Sequence, residues 1–414
     1  MERCRREVGG TFTLRLLPVG RAVLVSDPPS IKALFSADRE NTIAAGRNIV
    51  LKPLLGERSL LVLEGSDHLA RRKLMLPPFH GERMRAYEQT MEEVTERELA
   101  RWPVGEPFPL HPAMQSITLD VIMNAVFGVA EDRRAGLRQA LLDILAATRS
   151  PMMAGITFPL VRELPRFRAL RRQVDAADEL LGAEIAAHRS DPGLDSHEDI
   201  LSMLISARGE DGEGMDDREI RDQLMTLLMA GHETTATALA WAFDLLFRRP
   251  DAMERLRDEV EAGAGTEYMD AVIEEALRLR PVVPFTGREL RRPAELGGYE
   301  LPEGTTVFAA IYLAHTDPDV FPDPYAFRPE RFLDAKPDTF SWIPFGGGTR
   351  RCIGAAFAQL EMRFVLTTIL REAALEPATA APQAIVRRNV TLSPREGTPA
   401  VLRGRASRRD PVAA

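Results

Sequence analysis

Between Asp216 and Phe247 the sequence carries one uninterrupted helical pattern, and its length limits what the rest of the chain can do. Asp216 and Glu219 have the spacing of a capping box, and Arg248, Arg249 and Pro250 supply a stop. At 1.5 Å per residue the rod is roughly 50 Å long. A compact chain of 414 residues has a radius of gyration of roughly 22 Å, so this helix crosses nearly the whole molecule. Its middle, LMTLLMAGHETTATALAWAF, is apolar on most faces, the mark of a buried helix. The exception is the cluster His232, Glu233, Thr234 and Thr235 at the midpoint.

A buried helix with a glutamate and two threonines at its centre has to satisfy them, because an unpaired buried charge is costly. Gly231 weakens the helix there by about 1 kcal/mol relative to alanine. A distorted turn with inserted water is one outcome. Threonines bonding back to the preceding carbonyls beside a salt-bridged glutamate is the other, and these residues alone do not separate the two. A zinc-hydrolase reading of His-Glu fails, because the position of the second histidine is Ala236.

The remaining pattern is mainly α with a minor β lobe, expected at roughly 11–27 plus 283–312. Thr11 to Ser26 alternate about a Pro-Val-Gly turn, as a hairpin does. A helical stretch follows from Pro28, and from Ser66 to about Arg278 helices dominate, broken at GEPFPLHP and RGEDGEGMDD. Strand-like pieces return at TTVFAAIYLA and AIVRRNVTLS. With no long linker and no repeat, residues 1–414 read as a single domain. A net charge of -8 argues against a nucleic-acid binder. Two cysteines, Cys4 near the terminus and Cys352 in the glycine loop, are too few for a disulfide framework, and a reducing compartment is expected. No signal peptide and no apolar run of about 20 residues is present, so no membrane anchor and a cytoplasmic protein are expected.

Three further clusters carry chemistry. Glu275 and Arg278 share a helix face in EEALRLRP and are spaced to pair, and FRPERF holds Arg331 in a proline-bounded turn that could reach the same carboxylate. In FGGGTRRCIGAAFA, Gly346 to Gly348 let backbone amides approach Cys352. That thiol opens a helical pattern beside Arg350 and Arg351, surroundings that favour thiolate. A phosphate cradle lacks its Lys-Ser/Thr ending, and a redox cysteine lacks a Cys-x-x-Cys partner. A thiolate ligand to a metal cofactor fits best.

Together, AGHETT (230–235), EALR (275–278), PERF (329–332) and FGGGTRRCIG (345–354) resemble the cytochrome P-450 family of haem-thiolate monooxygenases, in order across almost the whole chain. The resemblance implies the cytochrome P-450 fold, a heme b cofactor with Cys352 as the iron's proximal ligand, and Glu233 with Thr234 as the acid–alcohol pair that relays protons. It implies that His68 and Arg72, a helical turn apart, bind the haem propionates with Arg288 and Arg350. Ala230, Gly231, Phe345, Gly346 and Gly354 then border the cofactor, and Glu275, Arg278 and Arg331 form a structural network. The motif details resemble a branch shared by microsomal and some bacterial enzymes, and a soluble bacterial member is expected. Such members carry a first helix before the strand similar to TFTLRLL. Only MERCRREVGG precedes it here, so a missing or truncated cap is expected.

By position in the family, Ile49 to Leu55, PMMAGITFPL, Met229, Val283 to Phe285 and Val390 to Leu392, Thr391 among them, are expected to line an apolar pocket. A small apolar substrate of lipid, terpenoid or steroid type and O2 follow, with ferredoxin and ferredoxin reductase as separate partners to a monomer. Arg71, Arg72, Lys73, Arg350, Arg351 and Arg363 are expected to form a basic docking patch. The rival readings are a peroxide-driven peroxygenase, a haem isomerase and a non-enzymatic haem sensor, and the presence of Glu233 and Thr234 speaks against all three.

Overall fold

The structure is a computed structural model and describes residues 1–16, 20–39, 41–44, 51–128, 134–148, 165–210, 212–263, 265–388 and 391–405. At its centre lies the helix Asp217–Leu246, 30 residues long. Its capping box is closed in both directions: Glu219 N–H donates to the Asp216 side chain at 2.8 Å, and Asp216 N–H to Glu219 Oε2 at 3.2 Å. Tertiary packing stabilises the rest. Leu224, Leu228, Leu239 and Phe243 share one hydrophobic core with Met114 and Ile117 of the helix Leu110–Phe127, and with Val365 and Ile369 of the helix Ala355–Glu372. The central helix is thus enclosed for most of its length.

Among the described residues, twelve strands make four small sheets. They are β1 (Thr11–Leu16), β2 (Gly20–Val25), β3 (Thr42–Ala44), β4 (Pro107–Pro109), β5 (Thr286–Leu290), β6 (Ala294–Leu296), β7 (Tyr299–Leu301), β8 (Thr306–Ala309), β9 (Ala373–Pro377), β10 (Ile385–Arg388), β11 (Thr391–Pro394) and β12 (Pro399–Arg405). The largest sheet has the order β1-β2-β8-β5-β3. β1 and β2 form the hairpin expected from the alternation, with Thr11 opposite Val25. β2 runs parallel to β8, with Ala22 opposite Thr306.

Three departures from the sequence reading have physical causes. The strand at TTVFAAIYLA ends at Ala309, and Ile311–His315 is helical. β3 and β4 arise where local pattern suggests only loop. β3 is held by β5, and β4, with prolines at both ends, is held by β12 as the edge of its sheet. Finally, a helix does precede β1: Glu2–Val8, docked by Arg5 onto Leu313 O at 2.9 Å and by the Tyr312 hydroxyl donating to Glu2 at 2.5 Å. Cys4 of this helix packs on the Phe12, Leu24 and Phe308 cluster, and both cysteines are free thiols. No helix among the described residues is long and apolar enough to cross a membrane.

Candidate active site

The central helix is buried on either side of its midpoint, yet Ala230 is exposed and Met229, Gly231, Glu233 and Thr234 are half-exposed. This one turn is therefore accessible where the helix on either side of it is not. The helix stays continuous there. Thr234 donates its hydroxyl to Ala230 O at 2.8 Å, and Thr235 donates to Gly231 O at 3.1 Å, which is the back-bonded of the two sequence alternatives. Glu233 turns instead toward the helix Leu110–Phe127, where the Gln115 amide donates to it and His111 approaches at 3.9 Å.

The cysteine loop explains its own glycines. Gly346 and Gly348 hold φ of 66° and 68°, a region that L side chains avoid. Gly347 leaves no room: a Cβ there would lie 2.3 Å from the Phe35 ring, and one on Gly348 would lie 2.1 Å from Asp38 Oδ2. The loop closes where Cys352 N–H donates to Phe345 O at 2.9 Å. Gly354 is the N-cap of the helix Ala355–Glu372, and its amide points at the Cys352 sulfur.

The electrostatics of the thiol differ from the sequence expectation. Burial is the largest influence and raises the Cys352 pKa, outweighing the Gly354 amide, Arg72 and Arg351, which lower it. Cys352 is exposed as a residue, yet enough protein surrounds its thiol for burial to govern the ionisation. Arg350 gives it no help, because its guanidinium donates to Leu63 O at 2.7 Å and Glu64 at 2.5 Å. A thiol in such a place ionises fully only when a metal takes the proton's position.

Arg72 connects the sulfur to a cluster of groups far apart in sequence. His68 is buried and neutral, its pKa pushed down to about 4 by burial and then by Arg350 and Arg72. Arg72 is half-buried and lies in the field of Cys352. Arg288 is held by Asp38 through bonds of 2.5 and 3.0 Å, and it also donates to Gly347 O at 3.1 Å. Asp38 in turn accepts from Thr349 N–H at 3.0 Å. Arg288 and Arg350, expected as open anion donors, thus each carry a carboxylate partner, Asp38 and Glu64. Neither acid stood out in the sequence, since nothing local marks a pairing that spans more than 200 residues.

Behind the loop, Arg278 donates to both oxygens of Glu275, at 2.6 and 2.8 Å, and to the carbonyls of His315, Pro324 and Ala326. Arg331 reaches the same carboxylate at 3.2 Å. Glu275 and Arg278 are both 0% exposed, so this network is the buried kind that fixes geometry. His315 ties it to the cysteine segment by accepting from Ile343 N–H at 2.8 Å.

Other expected contacts are relocated. Phe285 packs edge-on against Phe308, centroids 4.9 Å apart, within the sheet's own cluster. Thr391 is buried and gives its hydroxyl to Arg388 O at 2.8 Å. Met229 and Val283 remain half-exposed. Ile49, Val50, residues 151–160 and Val390 lie outside the described residues. The basic patch is largely neutralised: Arg71 pairs with Glu219, Lys73 with Glu210, Arg350 with Glu64 and Arg363 with Asp270. The sequence reading also missed Glu361, a fully buried carboxyl beneath Thr235 whose pKa burial raises well above the usual range.

A mainly helical fold with a small sheet lobe and a glycine-loop thiol near a long central helix defines the haem-thiolate class. The family model for cytochrome P450 matches residues 1–399. Putative cytochrome P450 135B1 of Mycobacterium tuberculosis is 40% identical over 411 residues, covering 98% of this chain and 86% of the relative. Putative cytochrome P450 138 of Mycobacterium bovis is 40% identical over 407 residues, covering 97% and 90%. Among solved structures, retinoic acid-bound cyanobacterial CYP120A1 superposes with a TM-score of 0.86 at 27% identity, covering 97% of this chain and 93% of that one. The chain belongs to the cytochrome P450 family, whose members are haem monooxygenases, and it is an oxidoreductase of that kind.

The residues present suit a haem. Cys352 offers a soft sulfur donor, the small side chains at Ala230 and Gly231 leave the central helix open at one turn, and His68 and Arg72 offer polar heads to carboxylates.

Proposed function

We propose that this protein binds heme b through Cys352 and hydroxylates or epoxidises a small apolar molecule of lipid, terpenoid or steroid type. It acts as a cytoplasmic monomer with electrons from ferredoxin and ferredoxin reductase. One atom of O2 enters the substrate and the other leaves as water, with two electrons and two protons consumed. The observation that carries the reading is that Arg72 lies in the field of the Cys352 thiol and also in that of His68, which Arg288 and Arg350 flank. When bound, the haem supplies the oxygen-activating chemistry. The chain's own residues do the rest: His68 and Arg72 hold the carboxylates, the Gly354 amide holds the sulfur, and Glu233 with Thr234 handles protons at the one open turn. Half-exposed Met229 and Val283 and exposed Ala230 favour an apolar substrate, as does the retinoic acid bound to CYP120A1.

The test has two arms. Apolar compounds screened against the haem-loaded ferric protein should shift its Soret absorbance, where polar analogues do not. Turnover should need ferredoxin, reductase and O2, and in Thr234→Ala reductant consumption should persist while peroxide replaces product. Full turnover with peroxide alone would favour a peroxygenase, and unchanged coupling in Thr234→Ala would remove this threonine from the mechanism.

A further inference from the structure

The helix Ala355–Glu372 leaves the glycine loop and packs beside the central helix. About two turns along it stands Glu361, 2% exposed. The group set against its carboxyl is the Thr235 hydroxyl of the central helix, and Oε1 is buried with no hydrogen-bond partner among the described residues. The cations of its own helix are engaged elsewhere. Arg363 pairs with Asp270 on the helix Glu267–Leu279, and Arg371 with Glu92 and Glu96 on the helix Glu88–Leu99. Among the described residues no charged side chain bears on Glu361.

An ionised carboxyl offers only acceptors, and a hydroxyl has one proton to give. Thr235 gives its proton to Gly231 O at 3.1 Å, so it turns oxygen lone pairs toward Glu361. Two acceptors do not bond, and the proton between them has to belong to Glu361. The alternative draws the Thr235 proton away to an ionised Glu361. That would leave a buried charge with one neutral donor and no cation, a desolvation cost that a single hydrogen bond does not offset. Burial pushes the carboxyl pKa up in the same sense. The rotation of the central helix follows from this bond. Successive helix residues point about 100° apart. Thr235, 3% exposed, faces the helix of the thiol, whereas Thr234 is half-exposed. Anchoring Thr235 therefore fixes the direction in which Thr234 is presented.

We propose that Glu361 is a positioning residue for the reaction: a neutral carboxylic acid that donates its proton to the Thr235 hydroxyl oxygen, pins the helix following Cys352 to the accessible turn of the central helix, and so holds Thr234 on its accessible side. The inference rests on the reading of Thr234 as a proton-handling group.

The experiment is carbon-13 NMR of the holoenzyme labelled at the glutamate carboxyl carbon, in its diamagnetic reduced carbon monoxide complex. Glu361→Gln removes one signal and so identifies it. In the parent protein that signal should keep the shift of a protonated acid from about pH 5 to about pH 8, where ordinary glutamates, with pKa of about 4.3, are ionised. Peroxide released per reductant is then measured with a surrogate ferredoxin and its reductase. Glu361→Gln, whose amide still donates to Thr235, should match the parent. Glu361→Leu, which has no donor, should release severalfold more peroxide. Thr235→Val, a change of similar shape at the other end of the bond, should do the same, and it decides the matter if Glu361→Leu fails to load haem. A carboxylate shift for Glu361 at pH near 7 overturns the inference, as does parental coupling in Glu361→Leu or Thr235→Val while Thr234→Ala is uncoupled. Parental coupling in Thr234→Ala as well would instead overturn the reading of Thr234 beneath it.

Discussion

Substituting Gly348 by alanine should uncouple the cysteine loop from the sheet lobe. At φ 68° an alanine costs about 1–2 kcal/mol in backbone strain. Its Cβ would also lie 2.1 Å from Asp38 Oδ2 and 2.9 Å from Phe35 O, and the second of these is backbone that moves only with its segment. Asp38 would have to swing out, and it accepts from Arg288 twice, from Thr349 N–H and from Thr42. Loss of even one charge-assisted bond adds about 1.5–3 kcal/mol, so the total is on the order of 3–5 kcal/mol. Gly354 in the same loop is the control. It has ordinary φ of -89° and nothing within 4 Å of a built Cβ, so Gly354→Ala should cost no more than about 1 kcal/mol. Urea unfolding of the haem-free proteins, with the Soret-to-protein absorbance ratio after haem loading, measures both. Similar losses in the two variants would refute the claim that Asp38 holds the loop.

Two further outcomes follow from buried groups. Arg278→Lys removes the planar fork that satisfies Glu275 and three carbonyls; a loss of about 3–5 kcal/mol is expected, read as failure to accumulate haem-loaded protein, and a variant of wild-type stability would contradict it. His315 is fully buried with its pKa pushed down to about 3, mainly by burial and then by Arg278, whereas the unfolded ring titrates near 6.5. Below that pH the unfolded chain binds the extra proton, so stability falls as pH drops, by about 1.4 kcal/mol per pH unit from this residue. Urea midpoints from about pH 7.5 to about 4.5 should show that slope reduced in His315→Gln, and an unreduced slope would reject the assignment.

Local signals were readable in the sequence where chemistry and structure act over a few residues. The Asp216–Glu219 box, the length of the central helix and the β1–β2 hairpin all come from short-range pattern. So does the pairing of Glu275 with Arg278, a single turn apart. What sequence concealed depends on tertiary placement. The seven-residue helix Glu2–Val8 is too short to stand alone and exists because Arg5, Tyr312 and Cys4 dock it. Arg288 and Arg350 look like free cations until the fold brings Asp38 and Glu64 against them. The Cys352 thiol shows the same limit. Its arginine neighbours in sequence predict a lowered pKa, but burial, which no local pattern encodes, acts in the opposite direction and prevails.

The most direct test is the carbon monoxide difference spectrum of the dithionite-reduced, haem-loaded protein, recorded beside Cys352→Ala. Thiolate ligation predicts a strongly red-shifted Soret band in the parent protein that disappears in the variant while the fold remains. A parent spectrum without that band, or a variant that keeps it, would mean that Cys352 is not the ligand and would contradict the account.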